Sequence, residues 1–275
     1  MAPSHKSIRR IFRDISAIVQ DDTLKNVHIY VNDDDITTAK ILIIGLQGTP
    51  YFGGYYLFDI KFPDNYPNSP PKVNFLSTDG TIRFNPNYYA EGKVCLSNIN
   101  TWGDNDWSPT QTLLSVVIVL NSRFHDNPMT NEPSFERLKL TDTTAIHYNK
   151  YVTYHNFTYA VSHLLEYPIC PEFHSIMINE FRKNYNKYIE VLEELINTHD
   201  CKSIISTHFN FNGTLDFNMA LNKIKNMYDR LSNGEIKCND NNVDIEINNL
   251  NYLQAKMSEL NINIAIKKPD TMEVD

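Results

Sequence analysis

The chain has 275 residues, of which 41% are hydrophobic and 12% aromatic, enough to bury the core of one domain with an extension or of two small domains. Its formal net charge of −8 argues against a general nucleic-acid binder, which needs a basic face. It has no apolar run near the 18 residues of a membrane span and no apolar segment typical of a signal peptide, so we expect neither.

The first third of the chain predicts one helix followed by four strands. Apolar residues recur at helical spacing between 5 and 20, with Arg9, Arg10 and Arg13 between them, which indicates an amphipathic helix. Alternating or β-branched apolar runs then predict strands at 27–31, 41–46, 56–62 and 73–75. Four prolines between the last two strands predict an extended loop.

Residues 79–109 lack periodicity, and Gly, Pro and Asn accumulate there. The segment is nevertheless too rich in aromatic and aliphatic side chains for disorder. A long irregular segment inside a compact domain is usually functional, so we interpret it as a folded active-site segment. A strongly apolar helix is predicted at 110–125, with Pro109 near its start.

The C-terminal part predicts three further helices. The first covers 144–166 and is broken by Pro168 and Pro171; a long helix runs from Phe173 to Leu195, and a last one from Phe217 to Leu231. Asn212-Gly213 predicts a turn between the last two helices. We therefore expect a core domain at 1–166, a helical extension at 167–232 and a disordered or loosely helical Asn-rich tail at 233–275.

The chemistry concentrates on Asn85-Pro86-Asn87 and on Cys95, eight residues after Asn87. A thiolate is a good nucleophile and a thioester is an activated acyl carrier, so a cysteine in a structured loop can hold an acyl group for transfer. A fixed asparagine amide can stabilise the negative charge that develops when the thioester is attacked. The four cysteines, at 95, 170, 201 and 238, have no CxxC spacing and indicate reduced thiols in a cytoplasmic or nuclear protein.

This set of motifs resembles the ubiquitin-conjugating enzyme family. The family pattern is His-Pro-Asn, a cysteine eight residues after that Asn, and Trp-Ser-Pro before a helix; here it is matched by Asn85-Pro86-Asn87, Cys95 and 107–109. The resemblance covers about residues 5–166. Asn85 in place of His, four extra residues between Cys95 and Trp107, and a Cys-Pro-Glu step at 170–172 look most like the large Z-type members.

The resemblance implies an α+β fold, a four-stranded antiparallel sheet flanked by helices, with a helical C-terminal extension. It implies that Cys95 accepts ubiquitin or a ubiquitin-like modifier as a thioester from an activating enzyme and passes it to lysine amines, usually with a ligase. Asn87 then stabilises the oxyanion, Asn85 and Pro86 structure the loop, and Glu132 orients the incoming lysine. Each residue has a plainer alternative: a buried free thiol for Cys95, turn residues for Asn87 and Glu132.

The resemblance also implies binding surfaces for the activating enzyme, the ligases, the modifier and protein substrates. A charged helix face is more often simply solvated, whereas a large exposed apolar group marks an interface, so we expect an exposed Phe62. The implied residues for activating-enzyme and ligase contact are Arg9, Arg10, Arg13, Phe62, Pro109 and Thr110. Those for the donor modifier are Leu114, Ile118 and Ser122. No nucleic acid, membrane or metal is expected as a binding partner. No bound cofactor is expected either, because ATP is used by the upstream activating enzyme.

Two other functions remain open at the level of sequence. A non-catalytic variant of the same fold would bind ubiquitin or scaffold a partner, but such variants lack the active cysteine. A cysteine hydrolase would need a histidine base, and the sequence has no histidine between His28 and His125, although a distant one could approach in the fold.

Overall fold

A four-stranded antiparallel sheet with strand order β1-β2-β3-β4 lies at the centre of the molecule. The computed structural model describes residues 4–32, 34–103, 106–198, 202–237, 252–256 and 258–259. The strands are β1 (Val27–Val31), β2 (Thr38–Ile44), β3 (Tyr55–Lys61) and β4 (Lys72–Phe75). Register places Phe58 opposite both Ile41 and Phe75, so bulky side chains meet across the sheet. The four predicted strands are confirmed, and so is the predicted α+β class.

Helices flank this sheet and then continue into the C-terminal extension. Their bounds are α1 (His5–Val19), α2 (Leu113–Ser122), α3 (Thr143–His155), α4 (Ser162–Glu166), α5 (His174–Thr198) and α6 (Phe217–Ser232). The Ser4 hydroxyl caps α1 by accepting from Ser7 N, and Thr112 with Ser115 forms a capping box at α2. The predicted helices are therefore confirmed within a few residues.

A π-helical turn, Asn156–Val161, joins α3 to α4 and brings a polar side chain into the core. Asn156 is fully buried, and its amide donates to Phe52 O at 2.8 Å while its carbonyl accepts from the Tyr56 hydroxyl at 2.6 Å. These bonds satisfy the buried amide and link the helix to the loop before β3.

The extension packs on the core and is not a separate unit. The Tyr188 ring of α5 lies 5.3 Å from Phe52 and 5.6 Å from Phe157, and Tyr55 donates to Met177 O at 2.7 Å. The apolar stripe of α5 is partly covered by α6, as expected. Their contact includes a stacked pair of Tyr185 and Tyr228 with ring centroids 3.9 Å apart.

The predicted turn at Asn212-Gly213 is wrong, because these residues begin a strand. The extension contains an antiparallel hairpin of β5 (Lys202–Ser206) and β6 (Asn212–Asp216), whose turn is formed by residues 207–211. The turn closes with a hydrogen bond from Thr207 N to Phe211 O at 2.8 Å. The structural cause is tertiary: Phe211 packs on Tyr151 of α3, and that contact supports two strands too short to be stable alone.

Most of the predicted tail lies outside the described residues. Residues 252–256 are helical, the Leu253 side chain is fully buried, and the Tyr252 ring centroid lies 6.3 Å from that of Phe12 in α1. A bilayer crossing would require a longer and more apolar helix than any found in the described ranges.

Candidate active site

Cys95 lies on an irregular loop that folds back on the Asn85–Asn87 segment. Cys95 N donates to Asn87 O at 2.9 Å, and Phe75 N of β4 donates to Gly92 O at 2.8 Å, so the loop is tied to both its neighbours. Gly92 has φ of +91°, a conformation that favours glycine, and it allows the tight return of the chain. In its described residues, 79–103 and 106–109, the predicted active-site segment is irregular apart from a 3-10 turn at Ser97–Ile99.

Asn87 and Cys95 are linked a second time through the Asn87 side chain. Its Nδ2 atom donates to Cys95 O at 2.8 Å, and its backbone N–H donates to Asn85 Oδ1 at 3.0 Å. The amide is thus held beside the backbone of Cys95. Its role in catalysis stays a prediction.

Asn85 is fully buried and joins three parts of the core. Its Nδ2 atom donates to the Tyr51 hydroxyl at 2.9 Å and to Arg123 O at 2.8 Å, while its Oδ1 accepts from Asn87 N. Asn therefore uses both its donor and its acceptor groups here, which is the physical requirement for a loop-structuring residue. Pro86 is also buried, and its carbonyl accepts from Arg83 Nη2 at 2.8 Å.

The Cys95 thiol is only 5% exposed and donates from Sγ to Thr101 O at 3.4 Å. Burial raises the pKa of the thiol, and the positive charges of Lys93 and Arg83 oppose this without reversing it. At neutral pH the group is therefore mainly a thiol. A nucleophilic role requires that the proton leave as the thiolate attacks.

Glu132 follows a short 3-10 turn, Pro128–Asn131, and its side chain is 24% exposed. Its negative charge contributes to the raised pKa of Cys95, so the carboxylate acts on the site electrostatically. Its Oε1 atom lies 4.0 Å from Nε2 of His208, a residue of the β5–β6 turn. Its assignment to lysine orientation stays a prediction.

The three arginines of α1 have different environments. Arg9 and Arg13 are exposed, whereas Arg10 pairs through Nε with the buried Asp14 at 2.8 Å. Arg10 Nη1 also donates to Pro109 O at 2.8 Å, and its Nη2 donates to Gln111 O. Arg10 therefore anchors the loop before α2 to α1, a structural role that sequence analysis did not foresee.

Phe62 is buried, so the expectation of an exposed ring is wrong. Its side chain is 2% exposed, with its ring centroid 4.9 Å from that of Tyr66. The reason is the alternation that predicted β3: Phe62 shares a face with Phe58 and Ile60, and that face lies on the core.

The other predicted surface residues do reach the surface. Pro109 and Thr110 are exposed, and on α2 Ile118 is 45% exposed and Ser122 exposed, with Leu114 partly covered. These α2 side chains lie off the core stripe, as expected.

Sequence analysis missed four residues of the site: Arg83 and Tyr89, which act on the Cys95 thiol, and His208 and Phe209, which contact Glu132 and Arg83. The Arg83 guanidinium carbon lies 3.9 Å from the Tyr89 ring centroid and 4.1 Å from that of Phe209. Arg83 and Tyr89 fall inside the segment that the sequence singled out, so its aromatic content was a usable signal. No local pattern pointed to His208 or Phe209, because they arrive from the extension.

Cys170 provides a contrast to Cys95. It is 1% exposed beside the Lys40–Glu172 ion pair, and burial raises the pKa of its thiol to about 11. Such a thiol is a poor nucleophile at neutral pH. Cys201 and Cys238 lie outside the described residues. In the described part of the chain, no group of three His, Cys, Asp or Glu side chains could hold a metal ion.

Comparison with known proteins agrees with this geometry. The sequence model of the family described as "Ubiquitin-conjugating enzyme" matches residues 10–156. Ubiquitin-conjugating enzyme E2 Z of Xenopus tropicalis is 37% identical over 194 residues, covering 70% of this chain and 61% of that protein. The Danio rerio E2 Z is 38% identical over 194 residues, covering 70% of this chain and 58% of that protein. The Homo sapiens E2 Z is 37% identical over 182 residues, covering 65% of this chain and 51% of that protein.

This chain thus spans between about half and three-fifths of the length of these curated relatives. The family match covers more than half of the chain and contains both Asn87 and Cys95. The relatives carry the Z-type name that the longer Cys95–Trp107 interval had suggested. The chain belongs to the ubiquitin-conjugating enzyme family and resembles its Z-type members.

Proposed function

We propose that this protein accepts ubiquitin or a ubiquitin-like modifier as a thioester on Cys95 and transfers it to lysine amines. The observation that carries the proposal is the double link between Asn87 and Cys95: the Asn87 amide at 2.8 Å from Cys95 O, and Cys95 N at 2.9 Å from Asn87 O. This double link supports the proposal because it holds a nucleophile together with a hydrogen-bond donor able to stabilise an oxyanion on one ordered loop.

Charging is a transthiolation. The Cys95 sulfur, having lost its proton, attacks the carbonyl carbon of the thioester on the activating enzyme; a new C–S bond forms and the enzyme's cysteine leaves as a thiolate. Lys93 and Arg83 favour the thiolate form of Cys95 against the effect of burial. ATP is consumed by the activating enzyme in making its own thioester, and this chain needs no cofactor.

Discharge is an aminolysis. A lysine nitrogen attacks the carbonyl carbon on Cys95, the oxygen gains negative charge, and the C–S bond then breaks with Cys95 as leaving group. The Asn87 amide, on turning from Cys95 O toward the thioester, donates to that oxygen. Glu132 accepts a hydrogen bond from the amine and passes its proton to water. An isopeptide bond results.

The partners of these steps are the modifier, an activating enzyme, ligases and protein substrates. The exposed Arg9 and Arg13 suit an acidic surface of the activating enzyme, and exposed Pro109 and Thr110 suit a ligase. The α2 face with Ile118, Leu114 and Ser122 suits the donor modifier. Such a pathway operates in the cytoplasm and nucleus, where we place the protein.

The test is incubation with activating enzyme, ATP and modifier, followed by electrophoresis with and without reductant. Wild type should give a reductant-labile adduct, Cys95→Ser a reductant-stable oxyester or none, and Cys95→Ala none. Cys170→Ala is the matched control and should still charge, because burial raises the pKa of the Cys170 thiol to about 11 and makes it a poor nucleophile at neutral pH. A labile adduct that survives Cys95→Ala would refute the assignment.

The same assay separates the two alternatives. A scaffold would give no adduct, and a hydrolase would cleave existing conjugates. Cys95 Sγ donates to the carbonyl of Thr101, whereas a hydrolase needs a histidine nitrogen within hydrogen-bond reach of the thiol. The hydrogen bond of this thiol therefore favours the conjugating function.

A further inference from the structure

The β5–β6 hairpin brings its turn, residues 207–211, to the edge of the active site. The Phe209 ring centroid lies 4.1 Å from the guanidinium carbon of Arg83, and Arg83 Nη2 donates to Pro86 O at 2.8 Å. One side chain therefore separates the turn from the Asn85-Pro86-Asn87 motif. A planar cation against an aromatic ring is a stabilising contact that restricts both groups.

The position of this turn is fixed by several contacts with α3. Phe209 meets Tyr148 edge to face at 5.4 Å, and Phe211 lies 4.9 Å from Tyr151. Thr207 N donates to Phe211 O, and Asn210 takes the left-handed conformation, with φ of +64°, that lets the turn close. His208 therefore lies between anchored neighbours, and its location is determined by the fold.

His208 faces the turn that carries Glu132. Its Nε2 atom is 4.0 Å from Glu132 Oε1, and its ring centroid is 4.9 Å from that of Phe135. Phe135 N in turn donates to Glu132 O at 3.1 Å, so the histidine packs on both ends of this short turn. The side chains are 43% exposed for His208 and 24% exposed for Glu132.

We propose that His208 is a positioning residue for lysine discharge, holding the Glu132 carboxylate in the orientation that receives the incoming amine. The inference rests on the proposed function, in which Cys95 carries the thioester and Glu132 meets the amine. An unrestrained glutamate near the surface samples several rotamers. The His208 ring, with Nε2 4.0 Å from Glu132 Oε1, restricts that sampling from one side and leaves the other oxygen for the amine.

The step balances without a further reactant. The lysine nitrogen forms a bond to the thioester carbon, the C–S bond breaks, and Cys95 leaves with the electron pair. The proton lost by the amine passes by way of the free Glu132 oxygen to water. His208 does not take up this proton; it acts only through its position beside the carboxylate.

A partly exposed polar contact of 4.0 Å contributes little to stability, so the expected effect is modest. It should appear in discharge and not in charging, because only discharge involves an amine. We expect His208→Ala to slow discharge about threefold, the rate equivalent of one exposed charged contact. His208→Gln retains an N–H donor and should restore part of that rate.

The experiment is single-turnover discharge of purified, pre-charged protein to free lysine. Four proteins form a double-mutant cycle: wild type, His208→Ala, Glu132→Gln and the double variant. If His208 acts through Glu132, His208→Ala should have no further effect once Glu132 is replaced. Equal slowing in both backgrounds, or no slowing by His208→Ala, would overturn the proposal.

A matched control distinguishes the imidazole from the hairpin. His147 Nδ1 on α3 lies 3.1 Å from Ser206 O, so His147→Ala weakens the support of the same hairpin without touching Glu132. Its discharge rate should stay within about twofold of wild type, below the effect of His208→Ala. Equal slowing by His147→Ala would mean that hairpin mobility is the cause and would refute the proposal. Failure of all four proteins to charge would refute the proposed function instead.

Discussion

At the scale of single residues, Asn87 has two roles to be separated. In the uncharged protein its amide donates to Cys95 O and orders the loop, while its Oδ1 is buried without a hydrogen-bond partner among the described residues. An unsatisfied buried acceptor costs free energy, which suggests that this side chain is not held only for stability. The same amide is the donor available to a carbonyl on Cys95.

We expect Asn87→Ala to charge almost normally and to discharge to lysine about 100-fold more slowly, the usual loss for one oxyanion-stabilising donor. The measurement is single-turnover discharge of the charged protein. The rate of Cys95 alkylation by iodoacetamide reports loop integrity and should stay within about twofold of wild type. Unchanged discharge in a variant with normal alkylation would make Asn87 purely structural.

Arg10 and Arg13 belong to the same basic run and should behave differently. Arg10→Ala leaves the Asp14 carboxylate, 2% exposed, without its cationic partner and frees Pro109 O and Gln111 O. We expect it to lower the free energy of unfolding by about 1–3 kcal/mol. The exposed Arg13→Ala should change it by less than about 0.5 kcal/mol. Urea unfolding measures both, and equal values would contradict the anchoring role.

At the scale of elements, the packing of the hairpin on α3 buries a titratable group. His155 lies among Tyr151, Tyr154 and Phe211, and its Nε2 is buried with no hydrogen-bond partner in the described part of the chain. Burial lowers the pKa of His155 to about 4; Asp79 opposes this and Lys223 adds to it. Between pH 6.5 and 4, His155 therefore binds a proton more readily in the unfolded chain than in the folded protein.

The unfolding free energy should consequently fall as the pH is lowered through that window. Relative to His155→Phe, wild type should lose roughly 2 kcal/mol more between pH 7.5 and pH 5. Urea unfolding at the two pH values measures the difference, and other titrating groups cancel in the comparison. Equal pH dependence in His155→Phe and wild type would contradict the burial argument.

The C-terminal segment 252–256 is a second element whose contribution can be tested. Leu253 is fully buried and Tyr252 contacts Phe12, so docking covers part of α1. Burial of a leucine stabilises by about 1.5–3 kcal/mol, and ordering the segment offsets some of this. We expect Leu253→Ala to lower the melting temperature by about 2–4 °C. Glu259, exposed and three residues beyond this segment, supplies the control: Glu259→Ala should leave the melting temperature unchanged. An unchanged melting temperature in Leu253→Ala would show that docking adds no stability.

At the scale of the whole molecule, the core and the extension share one hydrophobic interior. Tyr188 is fully buried against Phe52 and Phe157, and the Tyr55 hydroxyl depends on Met177 O. Removing α5 would expose several large side chains, and the burial of each one stabilises the folded state by about 1.5–3 kcal/mol. The total is comparable to the stability of an entire domain.

We therefore expect a fragment ending at residue 166 to be insoluble or to melt more than about 10 °C below the full chain. A fragment ending at residue 237 keeps α5, the hairpin and α6, and should lose only the contribution of the tail. Thermal melts and soluble yields of the two fragments measure the difference. If the shorter fragment melted within a few degrees of the full chain, the extension would be an independent unit.

Local patterns in the sequence were sufficient for most of the fold. Alternation of apolar residues predicted β1 to β4, and spacing of three and four predicted the helices, because these periodicities report which side of an element faces the core. The candidate site could also be recognised, since Asn85, Asn87 and Cys95 lie within one short segment of the chain. The family resemblance then supplied the fold class.

Tertiary structure decided what depends on residues distant in sequence. Phe62 is buried because Tyr66 and the core pack against its ring. Arg10 anchors the loop before α2 because Pro109 lies beside α1. A hairpin replaces the predicted turn because Phe211 packs on α3. His208 reaches Glu132 only through that hairpin. The sequence predicted β1 to β4, the helices and the position of Cys95 in an irregular loop; packing determined the β5–β6 hairpin and the neighbours of each side chain, because contacts between residues distant in sequence leave no local period.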